Sequence, residues 1–421
     1  MKHYLIIGVI TLLISTSFGY AEQNDTILEN YIQQALTDNP SLKAALSRVE
    51  AFDQRIPQAG ALPDPVLGVG VANLPINSFS FDQEPMTGKW VSLGQMFPFP
   101  GKLGLKQDIA EDQRDNQYAM MEGEKSKLIR QVKETYYNWA YIQESIQIVE
   151  SNRALMDQFV DIALSKYKVG TGLQQDVLRA QTERTKYEDR LLNLHQMDAT
   201  LKARLNTLLN RSADADLEAP AVLKYQPATI ERDTVLAMIS SDNPRIRSLR
   251  AQQQQSDSEI RLAKKSYYPD VMLGAQYTQR DDAPDGTRRY DFFSLKAEIP
   301  IPLYWKSKQN HLLEQKRIEQ RQTNEEFQSL TKDLEFESTD LFNQAKRIQD
   351  QIAVYQDGII PQAQQTLSSA MAGYQVGKVD FLTLLTSQIA LFNYQLEAQQ
   401  KVLEYNLAWS RIEALTGQRI L

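Results

Sequence analysis

Few residues in this 421-residue chain have the type and spacing to do covalent chemistry. His195 and His311 stand far apart, each in a polar stretch with helical spacing. A metal centre needs several convergent ligands, so both are expected to be solvated helix positions, with no metal or cofactor held. No glycine-rich phosphate loop follows a strand, and nothing resembles a catalytic constellation. What recurs instead is a turn. Tyr167-Lys-Val-Gly170 followed by Gln181 returns as Tyr374-Gln-Val-Gly377 followed by Gln388 at the same internal spacing. Gly170 and Gly377 stand where a left-handed residue ends one helix and reverses the chain. One copy reads as a plain helical hairpin turn. Two copies with the same flanks, each at the far end of a long rod, read as a docking surface, so the expected chemistry is recognition.

The turns belong to a larger duplication. Asn39-Pro40 returns as Asn243-Pro244, Pro63-Asp64 with Leu67-Gly68 as Pro269-Asp270 with Leu273-Gly274, and Phe97-Pro-Phe-Pro100 as Ile299-Pro-Ile-Pro302. The offsets lie between 202 and 207 residues and the order is kept, so each half is one structural unit. The halves are placed at 22–217 and 218–421. Each is expected to run helix, strand, polar loop, strand and two very long helices, its first helix opening at the Asn-Pro pair with Asn as cap and Pro in the first turn.

Strands are expected at about 64–74, 89–98, 269–279 and 290–300. Leu67, Val69 and Val71 alternate with Gly68, Gly70 and Ala72, and Leu273, Ala275 and Tyr277 with Gly274, Gln276 and Thr278. One apolar face and one small or polar face suit a half-buried sheet or a membrane barrel with a wet lumen. Phe97, Phe99, Tyr267, Tyr268, Tyr304 and Trp305 gather at the helix-proximal ends. Trp90, Tyr277 and Tyr290 lie towards the other ends, so two aromatic girdles favour the membrane barrel. Four strands cannot close, and open edges invite aggregation, so several chains must share one sheet. Two copies give eight strands and three give twelve, and the arithmetic does not choose.

The long segments carry narrow apolar seams. Ile129, Val132, Tyr136, Trp139, Ile142, Ile146 and Val149 step by threes and fours, as do Leu191 to Leu208, Leu341 to Ile359 and Leu385 to Leu407. That is coiled-coil packing, and a rod of this length spans about 100 Å. The turns are placed near 167–173 and 374–380.

Lys2 and His3 precede an apolar run, Tyr4 to Leu13, with Gly19 and Ala21 before Glu22. This reads as a signal peptide over 1–21, too short for a membrane-spanning helix. Cysteine is absent, so no acylated lipoprotein residue is expected and stability must come from burial and association. The net charge of −7 is spread along the chain, which argues against nucleic acid.

Over essentially the whole mature length the chain resembles the TolC family of outer-membrane efflux channels. Tyr167-Lys-Val-Gly-Thr-Gly-Leu-Gln-Gln-Asp-Val-Leu is similar to the family's first tip motif, and Tyr374-Gln-Val-Gly-Lys-Val-Asp-Phe-Leu-Thr-Leu-Leu to its second. Gln95-Met-Phe-Pro-Phe-Pro-Gly-Lys102 looks most like the heavy-metal branch. The resemblance implies a mainly α fold with β: a homotrimer with a twelve-stranded barrel in outer-membrane lipid, continued by a long coiled-coil α-helical barrel through the periplasm. It implies no enzyme, but the passive conduit of a tripartite efflux system for metal ions or small toxic compounds. The partners would be a periplasmic adaptor and an inner-membrane pump of the resistance-nodulation-division type, in a Gram-negative bacterium. Tyr167, Val169, Gly170, Thr171, Tyr374, Val376 and Gly377 would meet the adaptor. A periplasmic adaptor and a soluble coiled-coil scaffold are the alternative readings; an adaptor would show one hairpin among β-rich modules.

Two departures bear on the gate. Some members close the periplasmic entrance with acidic residues nine and twelve positions after the second-tip tyrosine, where this chain has Thr383 and Thr386. Asp380 is the nearest carboxylate for a constriction and Asp176 matches the first-tip aspartate; for both the alternative is helix N-terminal stabilisation. Pro361 interrupts the second hairpin thirteen residues before Tyr374, and Ala154 occupies the matching place in the first. A bend in one hairpin only is therefore expected, in the hairpin that opens and closes the entrance in the family.

Overall fold

The computed structural model describes residues 26–420, so the signal-peptide reading of 1–21 lies outside the described residues. The first half contains α1 (Thr26–Asp38), α2 (Pro40–Asp53), α3 (Arg55–Gly60), β1 (Val66–Ala72), β2 (Gly88–Phe97), α4 (Lys102–Lys168) and α5 (Gln174–Leu208). The second contains α6 (Arg232–Asp242), α7 (Pro244–Lys265), β3 (Val271–Gln279), β4 (Phe292–Glu298), α8 (Gln309–Val354), α9 (Ile360–Gln375) and α10 (Phe381–Thr416).

The sequence predicts that the Asn-Pro pairs open the first helix of each half, and the structure corrects this. Instead α1 and α6 precede them. The signal was present: Leu28, Tyr31, Ile32 and Ala35 fall on one helical face and are buried. The pairs cap the second helix of each half. Asn39 Oδ1 accepts the Ser41 and Leu42 N–H groups, and Asn243 Oδ1 those of Arg245 and Ile246. Each amide also reaches the end of its half's return helix: Asn39 Nδ2 donates to Leu208 O at 3.0 Å and Asn243 Nδ2 to Leu415 O at 2.8 Å. The cap and the closure of each half are thus made by one side chain.

The strands form one antiparallel sheet in the order β1-β2-β3-β4. Directly paired residues share a face, so the register decides what each face presents. Val69 pairs with Val91, Val91 with Tyr277 and Tyr277 with Phe293; Leu67 pairs with Leu93, Leu93 with Ala275 and Ala275 with Leu295. This apolar face is continuous across all four strands and open, with Leu295 79% exposed. The opposite face carries Gly68, Ser92, Gln276 and Ser294 in one row and Gly94, Gly274 and Lys296 in another. Trp90 belongs to that polar face, pairing with Gly70 and Thr278, so it does not join an outer girdle with Tyr277. Its indole lies over Gly68 and Gly70, where a Cβ on Gly70 would come within 2.6 Å of the ring. Position along the strand was legible in the sequence, but the face of a large aromatic among small residues was set by its neighbour strand.

The helices pack as a rod. α4 runs 67 residues without a break, about 100 Å at 1.5 Å per residue. Val132, Tyr136, Trp139, Ile142, Ile146 and Val149 are buried along its seam, as are Leu191, Leu194, Leu205 and Leu208 on α5; Met197, expected there, is exposed. A polar clasp interrupts the α4–α5 seam. Asp198 accepts from the Trp139 indole at 2.7 Å, from Gln143, and from Lys202 at 2.8 Å. Burial pushes the Asp198 carboxyl up, but these donors hold it below the usual carboxylate range. The linker between the halves is pinned by phenols: Tyr136 Oη accepts the Ala221 N–H and Tyr405 Oη the Ala228 N–H.

Candidate functional site

The end of the rod is built by two helix reversals. α4 ends at Lys168 and α9 at Gln375, each followed by a glycine at φ +75°, Gly170 and Gly377. No heavy atom stands within 4 Å of a Cβ built on either glycine, so these positions are kept for backbone shape. The carbonyls of the last turns are satisfied by the reversal itself: Thr171 N–H donates to Lys166 O and Lys378 N–H to Gly373 O. Val169 and Val376 project outward, 73% and 69% exposed, beside exposed Gly170, Thr171 and Gly377.

The duplicated tyrosines are not equivalent. Tyr167 is 44% exposed, but Tyr374 is 5% exposed and packs edge-on against Phe381 with ring centroids 5.5 Å apart. The Lys166 ammonium lies 5.0 Å from the centre of the Tyr374 ring and donates to Gln375 O at 3.3 Å, tying the first tip to the second. The Tyr374 ring is therefore a support of the tip and does not form part of its outer surface. Its hydroxyl has no hydrogen-bond partner among the described residues, and burial, with the Asp176 carboxylate nearby, raises its pKa.

Asp380 caps α10. Its Oδ1 accepts the Thr383 N–H at 2.7 Å, which holds the exposed carboxyl below its usual value. Asp176 sits in the first turn of α5, where the N-cap position, Leu173, makes no side-chain cap. Thr383 and Thr386 are exposed on α10, and the Thr386 hydroxyl donates back to Leu382 O and Thr383 O at 2.9 and 3.0 Å. His195 and His311 are exposed on α5 and α8.

Pro361 is accompanied by a change of helical register. The α-helical pattern stops at Val354, a π-helical turn runs over Tyr355–Ile359, and α9 opens with Ile360-Pro361. Proline has no N–H to give and its ring crowds the preceding turn; the wider turn accommodates both. The expected interruption is thus in the second hairpin alone, since α4 passes its matching position unbroken. Tyr355, at the start of the wide turn, donates to Glu397 Oε2 at 2.6 Å, which pushes its hydroxyl up to about 12.

Sequence reasoning missed the contacts that join the halves. Gln388 is 1% exposed and its Nε2 donates to Asn152 Oδ1, whereas its repeat Gln181 is exposed. Lys133 and Glu413, 4% and 7% exposed, form a buried ion pair at 2.5 Å between α4 and α10. Both charged residues sit inside apolar seams, which was the available sign.

A single family model, outer membrane efflux protein, matches the chain twice, over residues 31–211 and 235–418. The chain belongs to that family. It is 22% identical over 417 residues to the cobalt-zinc-cadmium resistance protein CzcC of Cupriavidus metallidurans, covering 92% of this chain and 93% of the relative. Nodulation protein T of Rhizobium leguminosarum bv. trifolii is 25% identical over 262 residues, and the match spans 59% of this chain and 55% of that protein. Among solved structures, CusC superposes with a TM-score of 0.78 at 17% identity, over 93% of this chain and 92% of that one. VceC of Vibrio cholerae gives 0.77 at 20%, over 93% and 96%. These two folds match the expected architecture of sheet and helical rod. As a family member the chain is the outer-membrane channel of a tripartite efflux system, a passive conduit and not an enzyme.

Proposed function

We propose that three copies of this chain close a twelve-stranded barrel and a helical tunnel that carries metal ions or small toxic compounds out of the cell. One observation supports this above the others: an open apolar sheet face with two unpaired edges at one end of a rod about 100 Å long. Lipid is the medium that suits such a face, and further copies are what such edges require. The likeness to CzcC favours metal ions as cargo, driven by a resistance-nodulation-division pump through an adaptor. With no cluster of His, Cys, Asp and Glu suited to a metal among the described residues, selectivity is assigned to the pump.

The exposed tip residues Tyr167, Val169, Gly170, Thr171, Val376 and Gly377 are the adaptor surface in this reading. Residues 1–21 would be removed on export, and no lipid would be attached. Detergent-dependent extraction from the outer membrane and a heat-modifiable trimer on denaturing gels are the expected results. A monomer in the soluble periplasmic fraction would sink the proposal.

The wide turn before Pro361 is assigned to the periplasmic gate. It gives the second hairpin a π-helical turn that the first lacks, and in this reading that turn lets one helix pair per copy lean inward. Pro361→Ala restores an N–H donor and allows a continuous α-helix. Its closed-state conductance in planar bilayers is expected to rise above that of the wild type. Equal closed-state conductances would remove Pro361 from the gate.

A further inference from the structure

A cavity far from both the sheet and the tips lies where the C-terminal segment folds over the helices. It holds about 180 Å³ between α1, α4, α10 and residues 417–419. Its walls are mostly apolar: Ile32 and Leu36 come from α1, Ile129 from α4 and Ala414 from α10. An apolar cavity of about 150 Å³ is enough to hold benzene, so this one admits a single small ring or a chain of similar size.

Set into these walls are charged residues, and their pairing leaves one charge over. Lys133 and Glu413 pair with each other while 4% and 7% exposed. Arg419 pairs with Glu29 at 3.0 Å, and Gln33 also donates to Glu29 at 2.8 Å. Arg130 remains. No hydrogen bond or ion pair reaches its guanidinium from the described residues, and its Nε is closed to water as well. A buried donor is nearly always satisfied, because leaving one unpaired costs its full desolvation. The cavity therefore lacks an acceptor, and Arg130, Lys133 and Arg419 against Glu29 and Glu413 give it one net positive charge. Arg130 also borders a wider groove with Arg245, Arg411, Glu337 and Asp340. Those four are exposed, so that groove is hydrated and offers no enclosed seat.

We propose that the cavity binds a small organic monoanion, a carboxylate carrying an apolar body the size of one ring. The carboxylate accepts from the planar Arg130 guanidinium, and the body lies against Ile32, Leu36, Ile129 and Ala414. An inorganic anion would answer the charge and leave the apolar walls empty. A neutral ring would fill the walls and leave Arg130 unpaired. The ligand stands beside the Lys133–Glu413 pair, and Glu413 also accepts the Ile420 N–H at 2.8 Å, so an occupied cavity braces the C-terminal segment against α1 and α4. This site depends neither on the cargo nor on the number of copies in the channel.

Isothermal titration of the purified, assembled channel in detergent tests it, with benzoate as the probe. A dissociation constant of about 1 mM or below is expected, with benzamide and inorganic phosphate each at least about tenfold weaker. Arg130→Gln removes the charge and Ile129→Trp fills the apolar part of the cavity. Each is expected to weaken benzoate binding at least about tenfold in protein with the wild-type helical circular dichroism. No benzoate binding up to about 10 mM would overturn the proposal and leave water as the partner of Arg130. Phosphate binding as tightly as benzoate would overturn the apolar part of the ligand. Unchanged benzoate affinity in Arg130→Gln would place the binding elsewhere and remove this cavity as a site.

Discussion

Val169→Asp combined with Val376→Asp will abolish export while leaving the assembled channel in the membrane. Both valines stand outward on the helix reversals, and neither side chain supports the fold. Each substitution places a carboxylate where an apolar partner surface must seat. Central apolar contacts of an interface cost about 2 kcal/mol or more when lost, and a desolvated charge without a partner costs further. Affinity for the adaptor is therefore expected to fall at least about a hundredfold. Binding of purified adaptor to immobilised channel measures it directly, with cell survival under metal stress as the functional counterpart. Unchanged binding, with normal heat-modifiable migration, would move the docking surface elsewhere. Tyr374→Phe makes the comparison sharper: its hydroxyl has no partner among the described residues, so this variant is expected to bind as the wild type does.

The largest stability effect is expected at Lys133. Its ammonium is 2.5 Å from Glu413, and Glu413 also accepts the Ile420 N–H at 2.8 Å, so one carboxylate ties α4, α10 and the C-terminal segment together. Lys133→Ala takes one partner from a buried ion pair, a loss that costs about 3–5 kcal/mol. Replacing both partners, Lys133→Met with Glu413→Leu, removes the charge altogether and is expected to lie much nearer to wild type, because desolvating the pair offsets most of what its attraction gains. Thermal loss of helical circular dichroism in detergent reads both variants. A single variant that melts with the wild type would show that the pair contributes nothing to the junction of the halves.

Much of this architecture was legible because it was written twice. Repeated Asn-Pro, Pro-Asp and Tyr-x-Val-Gly landmarks located the capped helices, the strands and the tips, and alternation located the apolar face. What escaped depended on a neighbour. Trp90 has a girdle residue's position along β2, but pairing with Gly70 and Thr278 turns it to the polar face. Tyr167 and Tyr374 have the same local sequence, yet only Tyr374 has another hairpin of its own chain to be buried against. Pro361 announced an interruption, but not that a π-helical turn would absorb it. Asp380 was weighed as a constriction and as a cap, and the Thr383 N–H makes it a cap within the chain. α1 and α6 could have been read from their own apolar spacing, as Leu28, Tyr31, Ile32 and Ala35 show.

In several copies, the open sheet edges and the long helical rod are expected to become one continuous water-filled conduit. Single-channel recording of the purified, detergent-extracted protein in planar lipid bilayers tests it most directly. Uniform conductance steps from a trimeric preparation, lost after the preparation is boiled to monomers, are predicted. A trimer that inserts into the bilayer and passes no current under any voltage, even with Pro361→Ala, would contradict the account.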